Sequence, residues 1–152
     1  MIPTFKIGDR IFVNKFIYGA KVPFTNFRLP AVRAPKRGDI IVFISPEDPK
    51  KDFVKRLIAT EGQRVEIRDG KIYIDAEPVD EPSSVRGVYY YNAGDYGSEG
   101  QIITVPKDSY YALGDNSACC RDSRYWAFVP KKNLLGKVIC IYWPLYRVKV
   151  IK

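Results

Sequence analysis

The chain has 152 residues and a formal net charge of +8, so it is long enough for one domain with a core and basic enough for either an anionic partner or a solvated basic surface. It contains no histidine, which excludes Ser-His-Asp and Cys-His catalysis within the chain, so that a hydrolase here needs a carboxylate, a lysine or a metal-bound water as its base. Its three cysteines, Cys119, Cys120 and Cys140, lack the spacing of zinc ligands, so we expect neither a metal site nor a disulfide framework, and we expect no cofactor. No apolar run reaches the ~18 residues of a membrane span.

The predicted elements, taken in chain order, are those of a mostly β protein. The opening residues, MIPTFKI, alternate apolar side chains with other residues and predict a chain that begins within a strand. Further segments are short, rich in β-branched and aromatic residues and bounded by Gly, Pro or Asp, and they predict strands at 10–19, 38–44, 51–60, 64–75, 100–106, 109–116 and 137–151. Asp69 and Gly70 predict a two-residue hairpin turn, because both tolerate positive φ.

Helix and loop signals complete this organisation. No segment keeps a 3.6-residue apolar period for three turns, so we expect little helix, with one helical turn within 129–136. The prolines of residues 20–37 predict a surface loop, and residues 75–100 predict an irregular excursion. We therefore predict a single domain over residues 1–152, with about 62–105 forming a small inserted β-subdomain.

Lys55 is the first candidate for chemistry. The period of two in segment 51–60 places Phe53, Lys55 and Leu57 on one face of a strand, among apolar neighbours. A lysine buried there would be driven toward its neutral form, which can act as a general base. The pattern leaves an alternative open, because the opposite face carries Arg56 and a lysine at a sheet edge can extend its amine into solvent.

The segment GDNSACCRDSR, residues 114–124, is the second candidate. It concentrates short polar and charged side chains after an apolar strand: Asp115, Asn116, Ser117, Asp122, Ser123 and Arg124. A charge-assisted hydrogen bond between Asp122 and Arg124 could fix this loop beside a site. A capped turn whose polar side chains satisfy only the loop backbone is the alternative.

Tyrosines suggest a different class of function. The segment GVYYYNAGDYG, with Arg86 before it, could stack single-stranded bases on a basic β-barrel that is not an enzyme. Tyrosines in strands are more often half-buried sheet residues, which makes this the weaker signal. The vicinal Cys119 and Cys120 lack a thioredoxin-like context and are better explained as small buried thiols.

Taken together, four segments resemble, in order, the signature segments of bacterial signal peptidase I. They are MIPTFKIGDRIFVNKFIYG, PKRGDIIVF, DFVKR and GDNSACCRDSRYWAFVP. The resemblance implies a largely antiparallel, barrel-like β fold with an apolar surface near the membrane. It also implies a serine endopeptidase in which a lysine is the general base, which agrees with the absence of histidine.

The family pattern assigns roles to residues of this chain. Lys55 in DFVKR matches the lysine base, and Met1, Phe5, Phe53 and Val54 match positions that line the substrate pockets. The matched positions that support the site are Arg56, Asp115, Cys120, Asp122, Ser123 and Arg124. Cys120 departs from the pattern, since the family often has a serine there that hydrogen-bonds the lysine, and a thiol is a weaker hydrogen-bonding group.

The nucleophile of the family lies in a Ser-Met-x-Pro-Thr segment, of which this sequence supplies Met1, Pro3 and Thr4. The resemblance therefore implies a serine directly before Met1, and we expect the printed chain to lack that serine and the membrane anchor and to be inactive. It also implies secretory preproteins and a lipid surface as partners, no nucleic acid, and a location on the outer side of the bacterial cytoplasmic membrane. A related processing peptidase of a conjugation system or an organelle is the alternative.

Overall fold

The structure, a computed structural model, describes residues 1–19, 27, 29–80, 85 and 88–151. The described strands are β1 (Arg10–Asn14), β2 (Ile40–Ile44), β3 (Asp52–Ala59), β4 (Arg64–Arg68), β5 (Lys71–Ile74), β6 (Glu77–Pro78), β7 (Ile103–Thr104), β8 (Ser109–Leu113), β9 (Val129–Pro130), β10 (Leu134–Trp143) and β11 (Lys149–Val150). The α-helix among them is the single turn α1 (Ser123–Trp126), and short 3₁₀ turns lie at Ser117–Cys119, Lys131–Asn133 and Leu145–Arg147. The prediction of a mostly β chain with little helix is confirmed.

The larger sheet carries the lysine-bearing strand near its middle. Its strand order is β1-β10-β2-β3-β8-β9, with β11 beside β10, and neighbouring strands are antiparallel. The antiparallel part of the fold prediction is thereby confirmed, whereas the path of the described strands stays open and forms no closed barrel. Strand β3 is buried from Lys55 to Ala59, because β2 and β8 flank it and apolar side chains cover both of its faces there.

A smaller sheet lies within the predicted insert. Its order is β6-β5-β4-β7, and Asp69 and Gly70, with φ values of 51° and 71°, turn β4 into β5. The apolar faces of β4 and β5 pack with residues of β3 and β8 in one cluster that includes Ile58, Ile67, Ile72 and Tyr111. The small sheet therefore shares its core with the larger sheet, and an insert over about 62–105 stays a prediction of domain organisation.

The opening residues differ from the prediction. Met1–Phe5 form a turn in which the Phe5 amide donates to the Met1 carbonyl at 2.9 Å, and the first strand begins only at Arg10. Pro3 has no amide hydrogen to contribute to a sheet ladder, which favours this turn over a strand. Apolar alternation over so few residues was therefore a misleading signal.

Asp39 anchors the start of β2. It accepts hydrogen bonds from Tyr18 at 2.7 Å and from Arg33 at 2.8 and 2.9 Å, and it lies 2.8 Å from the Lys137 amine. Burial alone raises the pKa of Asp39, but the hydrogen bonds from Arg33, Lys137 and Tyr18 lower it by more, so that the pKa lies well below its ordinary value. This network therefore stabilises the fold above the pKa of an unfolded aspartate, about 4, and the stabilisation is lost as the pH falls further.

Two predictions about segments can be compared with the structure. In the predicted loop 20–37, residues 20–26 and 28 lie outside the described residues, while 29–37 belong to no helix or strand and are mostly exposed. The part of the chain that the structure describes contains no helix that is both long and apolar enough to cross a membrane.

Candidate active site

Lys55 lies on the interior face of β3. Only 9% of its surface is exposed, and Ile41 of β2 is its cross-strand neighbour. Its Nζ atom lies 5.9 Å from the ring centroids of both Phe53 and Trp126. The structure thus packs the buried Lys55 side chain among apolar and aromatic residues.

Gly114 brings the amine close to the polar loop. A Cβ atom at Gly114 would overlap the Cys120 Sγ atom and lie 3.4 Å from the Lys55 Nζ atom. The lysine amine and the Cys120 thiol therefore approach the same point on the backbone. A side chain at residue 114 would displace one or both of these groups.

Arg56 ties the other face of β3 to the same loop. Its guanidinium donates to Asp115 through Nε and Nη2, each at 2.8 Å, and through Nη1 to the Gly38 carbonyl at 2.9 Å. Thr4 donates a further hydrogen bond to the Asp115 carboxylate. Asp115 therefore joins β3, the polar loop and the opening turn in one buried group.

Asp122, Ser123 and Arg124 form a second buried polar group, and none of the three has any exposed surface. Asp122 accepts from Arg124 at 2.8 and 2.9 Å and from the Gly114 amide at 3.0 Å, while Ser123 accepts from the Ala112 amide at 3.0 Å. Burial lowers the pKa of Arg124, but its hydrogen bonds to Asp122 and the charge of that carboxylate, with smaller contributions from Tyr111 and Tyr125, together raise it, so the net shift is upward. These bonds hold α1 against the end of β8.

Arg124 also organises the loop that carries Cys120. Its guanidinium donates to the Ser117 hydroxyl and carbonyl, each at 2.9 Å, and to the Cys120 carbonyl at 3.2 Å. The Ser117 hydroxyl in turn accepts from the Tyr91 amide at 2.8 Å. Arg124 therefore connects the residues of this loop through hydrogen bonds and fixes the backbone position of Cys120.

The residues predicted to line substrate pockets are all partly buried, but they fall on two faces of the sheet. Met1, Phe5 and Val54 pack in the cluster around Ile40 and Val138. Phe53 packs in the other cluster, with Phe43 and Trp126. The structure therefore brings Met1, Phe5 and Val54 together and places Phe53 on the Lys55 side of β3.

One edge of β3 is open beside this group. Strand β2 pairs with Asp52 through Arg56, whereas β8 pairs only with Arg56, Leu57 and Ala59. Among the described residues, the segment 52–55 therefore has a strand on one side alone. Such an edge leaves backbone amides and carbonyls available to an extended peptide.

Some site residues were not found from the sequence. Trp126, Gly114 and Thr4 contact or support the lysine and its loop, and none was proposed as functional. Trp126 follows the buried Arg124 by two residues in a segment that also matched the family pattern, which is the signal that could have identified it. The contacts of Gly114 and Thr4 depend on residues distant in sequence, and no local pattern indicates them.

The tyrosine segment does not form a row of stacking platforms. Tyr90 is buried, and the exposed Tyr89 and Tyr91 contact each other edge to face with ring centroids 4.9 Å apart. Arg86 lies outside the described residues. Within the described ranges, no cluster of three or more Cys, Asp or Glu side chains could hold a metal ion.

Comparison with known proteins gives a consistent result. Residues 1–143 match the family described as "Signal peptidase, peptidase S26". The chain is 34% identical to the probable signal peptidase I-2 of Synechocystis, covering 99% of this chain and 62% of that protein, and 29% identical to a signal peptidase I of Pseudomonas aeruginosa, covering 95% and 62%. A crystal structure of a signal peptidase I from Enterococcus faecalis superposes with a TM-score of 0.57 at 31% identity, covering 69% of this chain and 97% of that one.

Proposed function

Because the chain belongs to the peptidase S26 family of signal peptidases, we propose that it carries the catalytic machinery of a serine endopeptidase that removes signal peptides from secreted preproteins. The chain spans about 62% of the length of the first two curated relatives, so the activity of the whole protein is part of this proposal. The observation that supports it most directly is the burial of Lys55, at the motif position of the family's base, beside the rings of Phe53 and Trp126.

The proposed reaction uses Lys55 as general base for a serine that directly precedes Met1. A neutral amine takes the serine proton, and the alkoxide attacks the scissile carbonyl. The peptide C–N bond then breaks as the protonated Lys55 amine gives its proton to the leaving amino group, which leaves an acyl-enzyme. Water, deprotonated by Lys55, attacks the acyl carbonyl, and the serine oxygen leaves with that proton. Cys120 occupies the place of the serine that commonly hydrogen-bonds the base, and a thiol is a weaker hydrogen-bonding group than a hydroxyl.

The open edge at residues 52–55 is the proposed place for substrate. An extended cleavage segment can add to that edge with main-chain hydrogen bonds, and alternate side chains then point to the same face. Phe53 and Val54 point to opposite faces of β3, and Met1 and Phe5 lie beside Val54. We expect these side chains to line shallow apolar pockets, which suit the small side chains that flank signal-peptide cleavage sites in the family.

The proposal is tested with a polypeptide extended upstream so that a serine precedes Met1. We expect this polypeptide to cleave a signal-peptide substrate and to be acylated at that serine by a serine-directed inhibitor. The matched control replaces only that serine with alanine and should show neither cleavage nor acylation, because the nucleophile forms the covalent intermediate. Cleavage that survives the alanine replacement would contradict the proposed mechanism.

We also propose a bacterial cytoplasmic membrane, on its outer side, as the place of action, with lipid as a partner. At one end of the larger sheet, Phe12 of β1, Cys140 of β10 and Val150 of β11 lie in one cross-strand row, and Phe12 and Val150 are exposed. The adjoining apolar residues Ile7, Trp143, Leu145, Tyr146 and Val148 are exposed too. An exposed apolar patch flanked by aromatic side chains favours the membrane interface.

The charges around this patch favour binding to an anionic membrane surface. Lys6, Arg10, Lys15 and Lys149 lie near it, while the one acidic residue of the opening segment, Asp9, is paired with Arg147 at 2.7 and 2.9 Å. We expect the 152-residue chain to sediment with vesicles containing anionic lipid, and the Leu145→Asp, Tyr146→Asp double variant to lose this binding by about tenfold or more. A Lys107→Asp, Ile102→Asp control, which alters charge and apolar area elsewhere, should bind normally. Equal vesicle binding by both variants would exclude this patch.

A further inference from the structure

We propose that Trp126 is a positioning residue for Lys55: its ring, stacked on Phe53, forms with Phe53 the apolar surface against which the lysine amine packs, and it limits the access of water to the amine. The inference rests on the proposed role of Lys55 as a base, and it adds a residue to which neither the family pattern nor the motifs assign a role. Trp126 contacts the reacting amine's side chain and not the substrate or the scissile bond, so it acts through Lys55.

The first support is the geometry of the rings. The Phe53 and Trp126 rings are stacked, with centroids 5.4 Å apart and an angle of 25° between their planes. The Lys55 Nζ atom is 5.9 Å from each centroid. The two distances are equal, so the amine lies beside the stack, at the same separation from both rings. The two rings thus act on the amine together.

The second support is the absence of polar partners for the Lys55 amine among the described residues. Among the described residues, Lys55 Nζ has no carboxylate within ion-pair distance and no hydrogen-bond acceptor, and its contacts are the two rings and the backbone near Gly114. A flexible lysine side chain without polar partners has many rotamers available, and only packing limits them. The ring of Trp126 therefore decides where the amine can lie.

The third support is how Trp126 itself is held. It is the last residue of α1, whose start is fixed by the buried bonds of Asp122, Ser123 and Arg124. Its indole Nε1 atom is buried and has no hydrogen-bond partner among the residues that the structure describes. The ring is thus positioned by the anchored helix and by stacking on Phe53, and not by a hydrogen bond of its own. Phenylalanine, which keeps the stacking face, should therefore replace it.

The structural test measures solvent access to Lys55 in the 152-residue chain. Reductive methylation with formaldehyde and borohydride is followed at each lysine by mass spectrometry, with the exposed Lys51 as internal reference. We expect Lys55 to react slowly in the unaltered chain, about tenfold or more faster in Trp126→Ala, and within about threefold of the unaltered rate in Trp126→Phe. Tyr125→Ala, which removes an exposed aromatic from the same helical turn, is the matched control and should leave the Lys55 rate unchanged.

Folding is checked in every variant by its urea midpoint, and Trp126→Leu takes the place of Trp126→Ala if the alanine variant does not fold. Leucine fills part of the space but offers no ring face, so Lys55 should again react faster than in Trp126→Phe. Unchanged labelling of Lys55 in a folded Trp126→Ala or Trp126→Leu variant overturns the inference. Equal acceleration in Trp126→Phe and Trp126→Leu also overturns it, because ring stacking would then have no part in positioning the amine.

The functional test uses the extended polypeptide with serine before Met1. Misplacing the base should lower kcat of Trp126→Ala by about tenfold to a hundredfold, with KM within about threefold, and Trp126→Phe should restore most of kcat. A loss confined to KM overturns the positioning role in favour of substrate contact. If Lys55→Ala proves active, the proposed base is wrong, yet the labelling result still decides whether Trp126 positions the amine.

Discussion

Replacing Lys55 with alanine in the serine-extended polypeptide is expected to reduce kcat/KM by about 10²–10⁴-fold, the range that a positioned general base contributes. Lys55→Arg should lose as much activity, although it retains a positive charge and a long side chain. A guanidinium stays protonated in proteins and cannot accept the serine proton. The measurement is the steady-state rate of cleavage of a signal-peptide substrate, with the folded state of each variant verified by circular dichroism.

Lys51→Ala is the matched control for this prediction. Lys51 directly precedes β3 and is exposed, with its amine 3.0 Å from Asp48, so its removal leaves the buried face of the strand intact. We expect nearly unchanged activity, since exposed ion pairs contribute little. An arginine variant at residue 55 as active as the unaltered protein would exclude proton transfer to Lys55 and leave the side chain a purely electrostatic role.

The second large effect is expected at Asp122. Asp122→Ala leaves the Arg124 guanidinium without its carboxylate in a position that has no exposed surface, and it also removes the acceptor for the Gly114 amide. Breaking a buried pair in this way costs about 3–5 kcal/mol of unfolding free energy. Urea denaturation measures the change, which should appear as a lower midpoint.

A double variant separates the charge from the packing. Asp122→Ala combined with Arg124→Leu removes the stranded cation, so we expect it to unfold less readily than Asp122→Ala alone. Asp108→Ala is the control, because its pair with Lys131 at 3.4 Å is exposed, and it should change the unfolding free energy by less than about 0.5 kcal/mol. If Asp122→Ala were as mild as Asp108→Ala, the buried network would not be what holds the loop.

Local patterns predicted most of the fold because strands and turns carry their own signals. The segments 38–44, 51–60 and 64–75, rich in β-branched and aromatic residues, match β2, β3 and the β4–β5 hairpin, and the turn at Asp69 and Gly70 lies where both residues have positive φ. The prediction of a strand in the opening segment was wrong because Pro3 interrupts the pairing of strands, which a count of apolar residues does not take into account. The strand order of the larger sheet depends on long-range pairings such as that of β1 with β10, which no local pattern encodes.

The candidate site shows the same difference between what local patterns predict and what depends on contacts between distant segments. The period of two indicated which residues share a face of β3 with Lys55. The burial of Lys55 depends on strand β2 and on the ring of Trp126, 71 residues further along the chain. Resemblance to a family indicated which polar residues gather, but it did not indicate that Thr4 reaches Asp115 or that Gly114 leaves room for Cys120 and Lys55. These contacts arise from packing between distant segments.

The half-paired strand β3 also carries a hazard for the protein. An edge that accepts a foreign strand can equally accept another copy of the same chain, which is how sheet proteins begin to aggregate. Here the free stretch is only residues 52–55, and the exposed charges of Lys50, Lys51 and Asp52 stand at its start. Short length and charge discourage self-association, so this edge can remain available without joining copies of the protein into fibres.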